Sequence, residues 1–175
     1  TLKTTALALG NLDGDAALEI VAGTDGKGIL RYDSSGAAFL KTTIDATAYA
    51  TTAVALADID QDSDLDLVVG NSLQQNRFYL NGGAANFGTG KNIGTDAYVT
   101  TSIALGALDG TAGLDLVAGA DRMPNRFYSL QTLEGVTGYV FGKDIGVNAQ
   151  LVSRAASNNT LDFSAKKAKA VTVPC

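Results

Sequence analysis

A repeat of about 48 residues organises this sequence and constrains its fold more than any other feature. The segments TTALALGNLDGDAALEIVAG from Thr4, TTAVALADIDQDSDLDLVVG from Thr51 and TTSIALGALDGTAGLDLVAG from Thr100 align without a gap. Leu9, Leu56 and Leu105 share one slot, at spacings of 47 and 49. The likeness continues downstream: NRFYL from Asn76 matches NRFYS from Asn125, with Tyr32 in the equivalent slot, and FGTGKNIG from Phe87 matches FGKDIG from Phe141. Tandem copies of this length fold as an array of one supersecondary unit, in which each copy buries its apolar faces against its neighbours.

Each copy reads as four short strands. In the second copy the first strand is Thr52 to Ala57, small and apolar on both faces, as suits a crowded interior. An Asp-rich loop follows, then the strongly apolar Leu65 to Val69, ended by Gly70. Arg77 to Leu80 forms a third strand with aromatic content. Asn81-Gly82-Gly83 signals a turn into a weaker, Gly-rich fourth stretch around Phe87 to Ile93. No segment sustains a helical period with capping signals, so the chain is expected to be all-β. Four strands per repeat of this length is the signature of a β-propeller blade.

The fourth copy breaks the pattern. Lys143-Asp144-Ile145-Gly146 matches Lys91-Asn92-Ile93-Gly94 and would start another unit near Val152. Beyond it only an echo survives, with Leu161-Asp162-Phe163 resembling Leu114-Asp115-Leu116 after loss of the acidic loop. The expected architecture is one β-propeller-like domain over 1–175. It has three four-stranded repeats at 4–50, 51–99 and 100–151, and 152–175 is a degenerate partial blade or an edge-capping tail. Three blades and a remnant fall short of the roughly four that close a propeller. Unpaired edges invite association, so cover is expected from the remnant, from another copy or partner chain, or from further sequence of a longer protein.

Composition narrows the chemistry. With 175 residues, 46% of them hydrophobic, the chain can bury a core without obligatory staples. No apolar run approaches the length of a membrane-spanning helix. Thr1 begins inside a patterned segment, with no basic stretch and apolar run of a secretory leader legible before it. The sequence has no His, which removes Ser-His-Asp and Cys-His catalysis and most zinc sites. Cys175 stands alone, so it forms no internal disulfide. A net charge of -5 argues against nucleic acid or an anionic membrane as partner.

The acidic loop is the chemically informative element. In the second copy Asp58-Ile59-Asp60-Gln61-Asp62-Ser63-Asp64-Leu65-Asp66 places carboxylates at loop positions one, three, five, seven and nine. Crowding five carboxylates costs repulsion unless a cation neutralises them. Ca²⁺, which takes 6–8 oxygens in a flexible shell, suits such a set, and Mg²⁺ is second choice. Zn²⁺ and copper want nitrogen or sulfur, which the loop lacks. The first copy repeats the scheme as Asn11-Leu12-Asp13-Gly14-Asp15-Ala16-Ala17-Leu18-Glu19, where Ala17 offers only its carbonyl. The third, Ala107 to Asp115, keeps two carboxylates, Asp109 and Asp115, and has lost the first ligand. An EF-hand fails as an alternative: its twelfth position is Glu, whereas Val69 stands here, and strand rather than helix follows.

The pattern ALADIDQDSDLDLVVGN…NRFYLNGGAANF resembles the FG-GAP/VCBS repeat, the blade of integrin-α-like propellers, over roughly residues 4 to 150. The resemblance implies side-chain oxygens at positions one, three, five and nine and a backbone carbonyl at seven. Carried over, these are Asp58, Asp60, Asp62, Asp64 (carbonyl) and Asp66, and Asn11, Asp13, Asp15, Ala17 (carbonyl) and Glu19. Two Ca²⁺ sites and a third, degenerate loop are expected, in an extracellular or cell-surface setting where calcium is plentiful.

The expected function is a calcium-stabilised binding or adhesion module that recognises a glycan or a protein through propeller-face loops. The alternative is a self-associating structural subunit of an extracellular assembly, an oligomer or filament with propeller edges completed between chains. Catalysis is not expected, because no acid–base pair stands outside the metal loops. Asn76-Arg77-Phe78-Tyr79 and Asn125-Arg126-Phe127-Tyr128 could form a glycan platform. The preferred expectation packs Phe78 and Phe127 between blades and pairs the Arg residues with loop carboxylates. Asn158-Asn159-Thr160 is a glycosylation sequon, and Lys166-Lys167-Ala168-Lys169 reads as a solvated run.

Overall fold

A computed structural model of the chain describes residues 2–34, 38–133 and 136–146. The chain divides into two units, Thr1–Ile145 and Gly146–Cys175. The partial blade, sequon and lysine run expected after Val152 lie outside the described residues. Among the described residues there is no helix.

Among the described residues, twelve strands form three separate four-stranded antiparallel sheets, each a meander in chain order. The first holds β1 (Thr4–Gly10), β2 (Glu19–Thr24), β3 (Ile29–Ser34) and β4 (Phe39–Asp45). The second holds β5 (Thr51–Ala57), β6 (Asp66–Asn71), β7 (Asn76–Tyr79) and β8 (Lys91–Ile93). The third holds β9 (Thr100–Gly106), β10 (Asp115–Ala120), β11 (Asn125–Leu133) and β12 (Val136–Ile145). The expected three units of four strands are therefore present, and among the described residues no sheet closes on itself. The fourth stretch of the second copy is shorter than its sequence suggests. Phe87 makes only an isolated bridge to Asn81, and β8 keeps three residues.

Strand alternation decides what each sheet buries. On β6, Leu67 and Val69 face the first sheet, where Leu12, Val21 and Ile29 complete a buried cluster with them and with Tyr79 of β7. Val68 faces the other way and packs with Ile59, Phe78, Ile93, Leu116, Ala118, Tyr128 and Tyr139 against the third sheet. Phe78 meets Tyr139 edge-on, with ring centres 5.4 Å apart. Each such side chain contributes roughly 1.5–3 kcal/mol by leaving water.

The repeated Thr-Thr dipeptide stitches neighbouring sheets. Thr5 Oγ1 donates to Gly23 O at 3.0 Å in its own sheet and to Thr51 O at 2.6 Å in the next. Thr52 repeats this toward Gly70 O and Thr100 O. Glycine is needed beside these contacts, because a Cβ on Gly23 would come within 2.4 Å of Thr51 Cγ2 and one on Gly70 within 2.7 Å of Thr100 Cγ2.

The outer faces differ. Val54 and Leu56 pack into the seam between the first and second sheets. Their counterparts Leu7 and Leu9 have no described sheet against them and remain 63% and 64% exposed. On the third sheet Phe127 pairs with Val117, on the face opposite Leu116 and Tyr128. It therefore lies beneath the Lys143 ammonium, 5.6 Å from the ring centre, and not between described sheets as Phe78 does.

Candidate metal centres

The three acidic loops connect the first and second strands of their sheets. In the first loop one oxygen from each of Asp13, Asp15 and Glu19 falls within 4.8 Å of the others. In the second, Asp58, Asp60 and Asp62 gather in the same way. The backbone folds around these carboxylates in Asx turns. Asp15 N donates to Asp13 Oδ1 at 3.2 Å and Ala17 N to Asp15 Oδ1 at 2.6 Å. Asp58 accepts from Asp62 N at 3.1 Å and Ser63 N at 3.0 Å, and Asp62 from Asp64 N at 3.0 Å. Gln61 and Ser63 adopt positive φ (64° and 79°) to make the turn.

Asn11, at position one, is turned inward onto its own loop. Its Oδ1 accepts from Gly14 N at 2.7 Å and its Nδ2 donates to Asp15 O. The Asp64 carboxylate lies against Gly83, where a Cβ would approach Oδ2 to 3.2 Å. Asp64 thus aims its side chain away from the cluster formed by Asp58, Asp60 and Asp62.

Position nine has a structural duty that sequence spacing did not reveal. Glu19, Asp66 and Asp115 are buried, at 1%, 0% and 0% exposure. Each accepts the N–H of its position-two residue: Leu12 at 2.6 Å, Ile59 at 2.7 Å and Leu108 at 2.8 Å. Asp66 also accepts Asn81 N at 2.8 Å, and Asp115 accepts Asp109 N at 2.9 Å and Leu130 N at 3.2 Å. Position nine therefore staples the loop to its own sheet, with or without the other carboxylates. The only sequence signal for it is the retention of Asp115 in a loop that has lost its first ligand.

Electrostatics separate the second loop from the third. Burial pushes the Asp66 carboxyl up to about 6, and Asp60 and Asp62 add to the rise against the N–H groups of Asn81 and Ile59. Asp60 is raised as well, by burial and then by Asp62 and Asp58. Crowded anions without compensation behave this way. Asp109 in the third loop is held below the usual carboxylate range by the Thr111 hydroxyl and N–H and by Ser129, which donates at 2.7 Å. Its charge is met from within the protein. The first two clusters offer only oxygen, which suits a hard divalent cation such as Ca²⁺ and not zinc or copper.

The aromatic-arginine motifs form seams between sheets. The Arg77 guanidinium lies over the rings of Tyr49 and Tyr79, at 5.3 and 5.8 Å, and donates to Asn92 Oδ1 at 2.7 Å. Arg126 lies over Tyr98 at 4.8 Å and pairs with Asp144 at 2.9 Å and Asp96 at 3.5 Å. Tyr79 donates to Asp45 at 2.7 Å, as Tyr128 does to Asp96 at 3.1 Å. Arg126 thus finds carboxylates, whereas the hydrogen bonds of Arg77 go to an amide and a carbonyl. Neither arginine reaches a metal-loop carboxylate in these pairings.

The model of the FG-GAP-like repeat matches residues 11–69, from the first acidic loop through most of β6. The match includes both carboxylate clusters. A search of curated proteins returned no match.

Proposed function

We propose that the chain is a calcium-stabilised, non-catalytic binding or adhesion module of the extracellular kind, with its three sheets arranged as consecutive propeller blades. FG-GAP repeats are often associated with calcium and with extracellular proteins. The observation that carries the reading is the gathering of Asp13, Asp15 and Glu19, and of Asp58, Asp60 and Asp62, in loops joined to buried seams. A bound Ca²⁺ would supply positive charge that offsets the carboxylate repulsion and fixes each loop.

Asn11, Asp13, Asp15, the Ala17 carbonyl and Glu19 would hold one ion, and Asp58, Asp60, Asp62, the Asp64 carbonyl and Asp66 the other. The protein side of the mechanism runs through position two. Leu12 is buried in the seam between the first and second sheets, and Ile59 in the seam between the second and third. Ordering a loop therefore orders the plug that packs against the next sheet. Loops on a face so fixed would present the glycan- or protein-binding surface. Affinities of such modules commonly match millimolar extracellular calcium. Thermal melting of the chain in calcium and in chelator tests this: calcium should raise the midpoint, and identical midpoints at millimolar calcium would refute it.

A second reading, self-association into an extracellular assembly, is favoured by the exposed Leu7 and Leu9. Their counterparts Val54 and Leu56 are covered by a neighbouring sheet. A second copy placed against the first sheet would bury them. Sedimentation over a concentration series should then show dimers or larger species that Leu7→Glu abolishes, and a monomer at every concentration would exclude it.

A further inference from the structure

Between the first two acidic loops lies one buried amide that touches both. Asn81 follows β7 by two residues and is 1% exposed. Its side-chain Nδ2 donates to Leu12 O in the first loop at 2.8 Å and to Leu65 O in the second at 3.3 Å. Its backbone N–H donates to Asp66 Oδ1 at 2.8 Å. Both neighbours of the amide are carbonyl oxygens, which only accept, so the NH₂ group must face them. Asn81 Oδ1 finds no partner among the described residues. A buried oxygen left unpaired is unfavourable, so the position is held by what the donors do.

Each carbonyl belongs to a peptide plane that continues into a candidate ligand. The Leu12 carbonyl shares its plane with the nitrogen of Asp13, and the Leu65 carbonyl with the nitrogen of Asp66. The same Leu12 carbonyl also accepts Ala85 N of the second sheet at 2.8 Å, and Leu12 N donates to Glu19 at 2.6 Å. Tilting one plane as its loop tightens shifts the amide, and the amide bears on the other plane. The third sheet supplies the natural contrast. Leu130 occupies the equivalent place and keeps the backbone bond to Asp115 at 3.2 Å, but its side chain has no donor for the second loop. The third loop is also the one that has lost its first ligand.

We propose that Asn81 is a positioning residue that couples the two calcium loops, so that filling one raises the affinity of the other. The proposal rests on the calcium reading above. Coupling of binding free energies is reciprocal, so each site must gain from the other by the same factor. A factor of about five corresponds to the net worth of one buried hydrogen bond.

Calorimetric titration of the full chain with Ca²⁺ tests it. Asp13→Ala disables the first site and Asp60→Ala the second, each with Asn81 intact and in the Asn81→Leu background. With Asn81 intact, losing either site should weaken the other about fivefold. In the Asn81→Leu background the remaining site should be indifferent to the loss. If leucine prevents folding, Asn81→Ala removes both side-chain donations at smaller volume, and the same comparison decides. Two ions binding independently with Asn81 intact would overturn the coupling while leaving the calcium reading standing. So would an unchanged mutual effect after Asn81 is replaced. No calcium binding at all would remove both.

Discussion

Replacing Asp115 by alanine isolates what position nine does without an ion. The Asp115 carboxylate is fully buried and accepts three backbone N–H groups, from Leu108, Asp109 and Leu130, at 2.8, 2.9 and 3.2 Å. Hydrogen bonds to a charged acceptor contribute about 1.5–3 kcal/mol each, and a buried donor left unpaired costs about 1–3 kcal/mol. Leu108 is half exposed, so water can reach part of the loop and the three terms do not simply add. A loss of about 3–5 kcal/mol follows, a large share of the roughly 5–15 kcal/mol that holds a typical domain. At this chain length that lowers the melting midpoint by roughly 10 °C. The assay is urea denaturation followed by circular dichroism, in calcium and in chelator. Equal loss in both is expected, because Asp109 is satisfied by Thr111 and Ser129 and the third loop needs no cation. A loss under about 1 kcal/mol, or one confined to the calcium arm, would refute the staple.

Asp60→Ala should behave in the opposite way. It should lower the melting midpoint in calcium but not in chelator, where removing a carboxyl raised by burial and by Asp62 and Asp58 relieves repulsion; equal loss in both would count against a metal loop. Asp109→Ala should leave calcium stoichiometry unchanged, and the loss of one bound ion per chain would overturn that. Burial would raise the Asp45 carboxyl, but bonds from Thr47 and Tyr79 and the Arg77 charge bring it below its ordinary value. Its stabilisation is therefore present above about pH 4 and lost as pH falls through the lower, folded-state value. Tyr79→Phe should flatten that acid limb in a pH series of melting midpoints, and an unchanged limb would show that the seam does not set it.

Much of the architecture was legible because the repeat writes each element three times. The run Leu65 to Val69 emerges as β6 with its first residue trimmed and its end carried through Gly70 to Asn71, and Arg77 to Leu80 as β7 shifted by one. The fourth strand was overextended because FGTGKNIG is Gly-rich. Gly90 is pressed against the Tyr79 ring, where a Cβ would come within 2.4 Å, so chain that reads as strand serves as a close crossing. Phe127 departs from its likeness to Phe78 because its face of the third sheet meets no further sheet among the described residues. The acidic clusters were legible as spacing, whereas the roles of Glu19, Asp66 and Asp115 as staples were not. A carboxylate that binds N–H groups and one that binds a cation look alike in sequence. Asn81 was hidden for a similar reason: Asn-Gly-Gly reads as a turn, and only the fold brings its amide to Leu12, far away in the chain.

The measurement that tests the central claim most directly is equilibrium dialysis of the full chain against millimolar calcium, with bound ions counted per chain. Two bound ions are expected, falling to one in Asp13→Ala and in Asp60→Ala and to none when both are replaced. No bound calcium, or two ions that survive both replacements, would contradict the assignment of the first two loops.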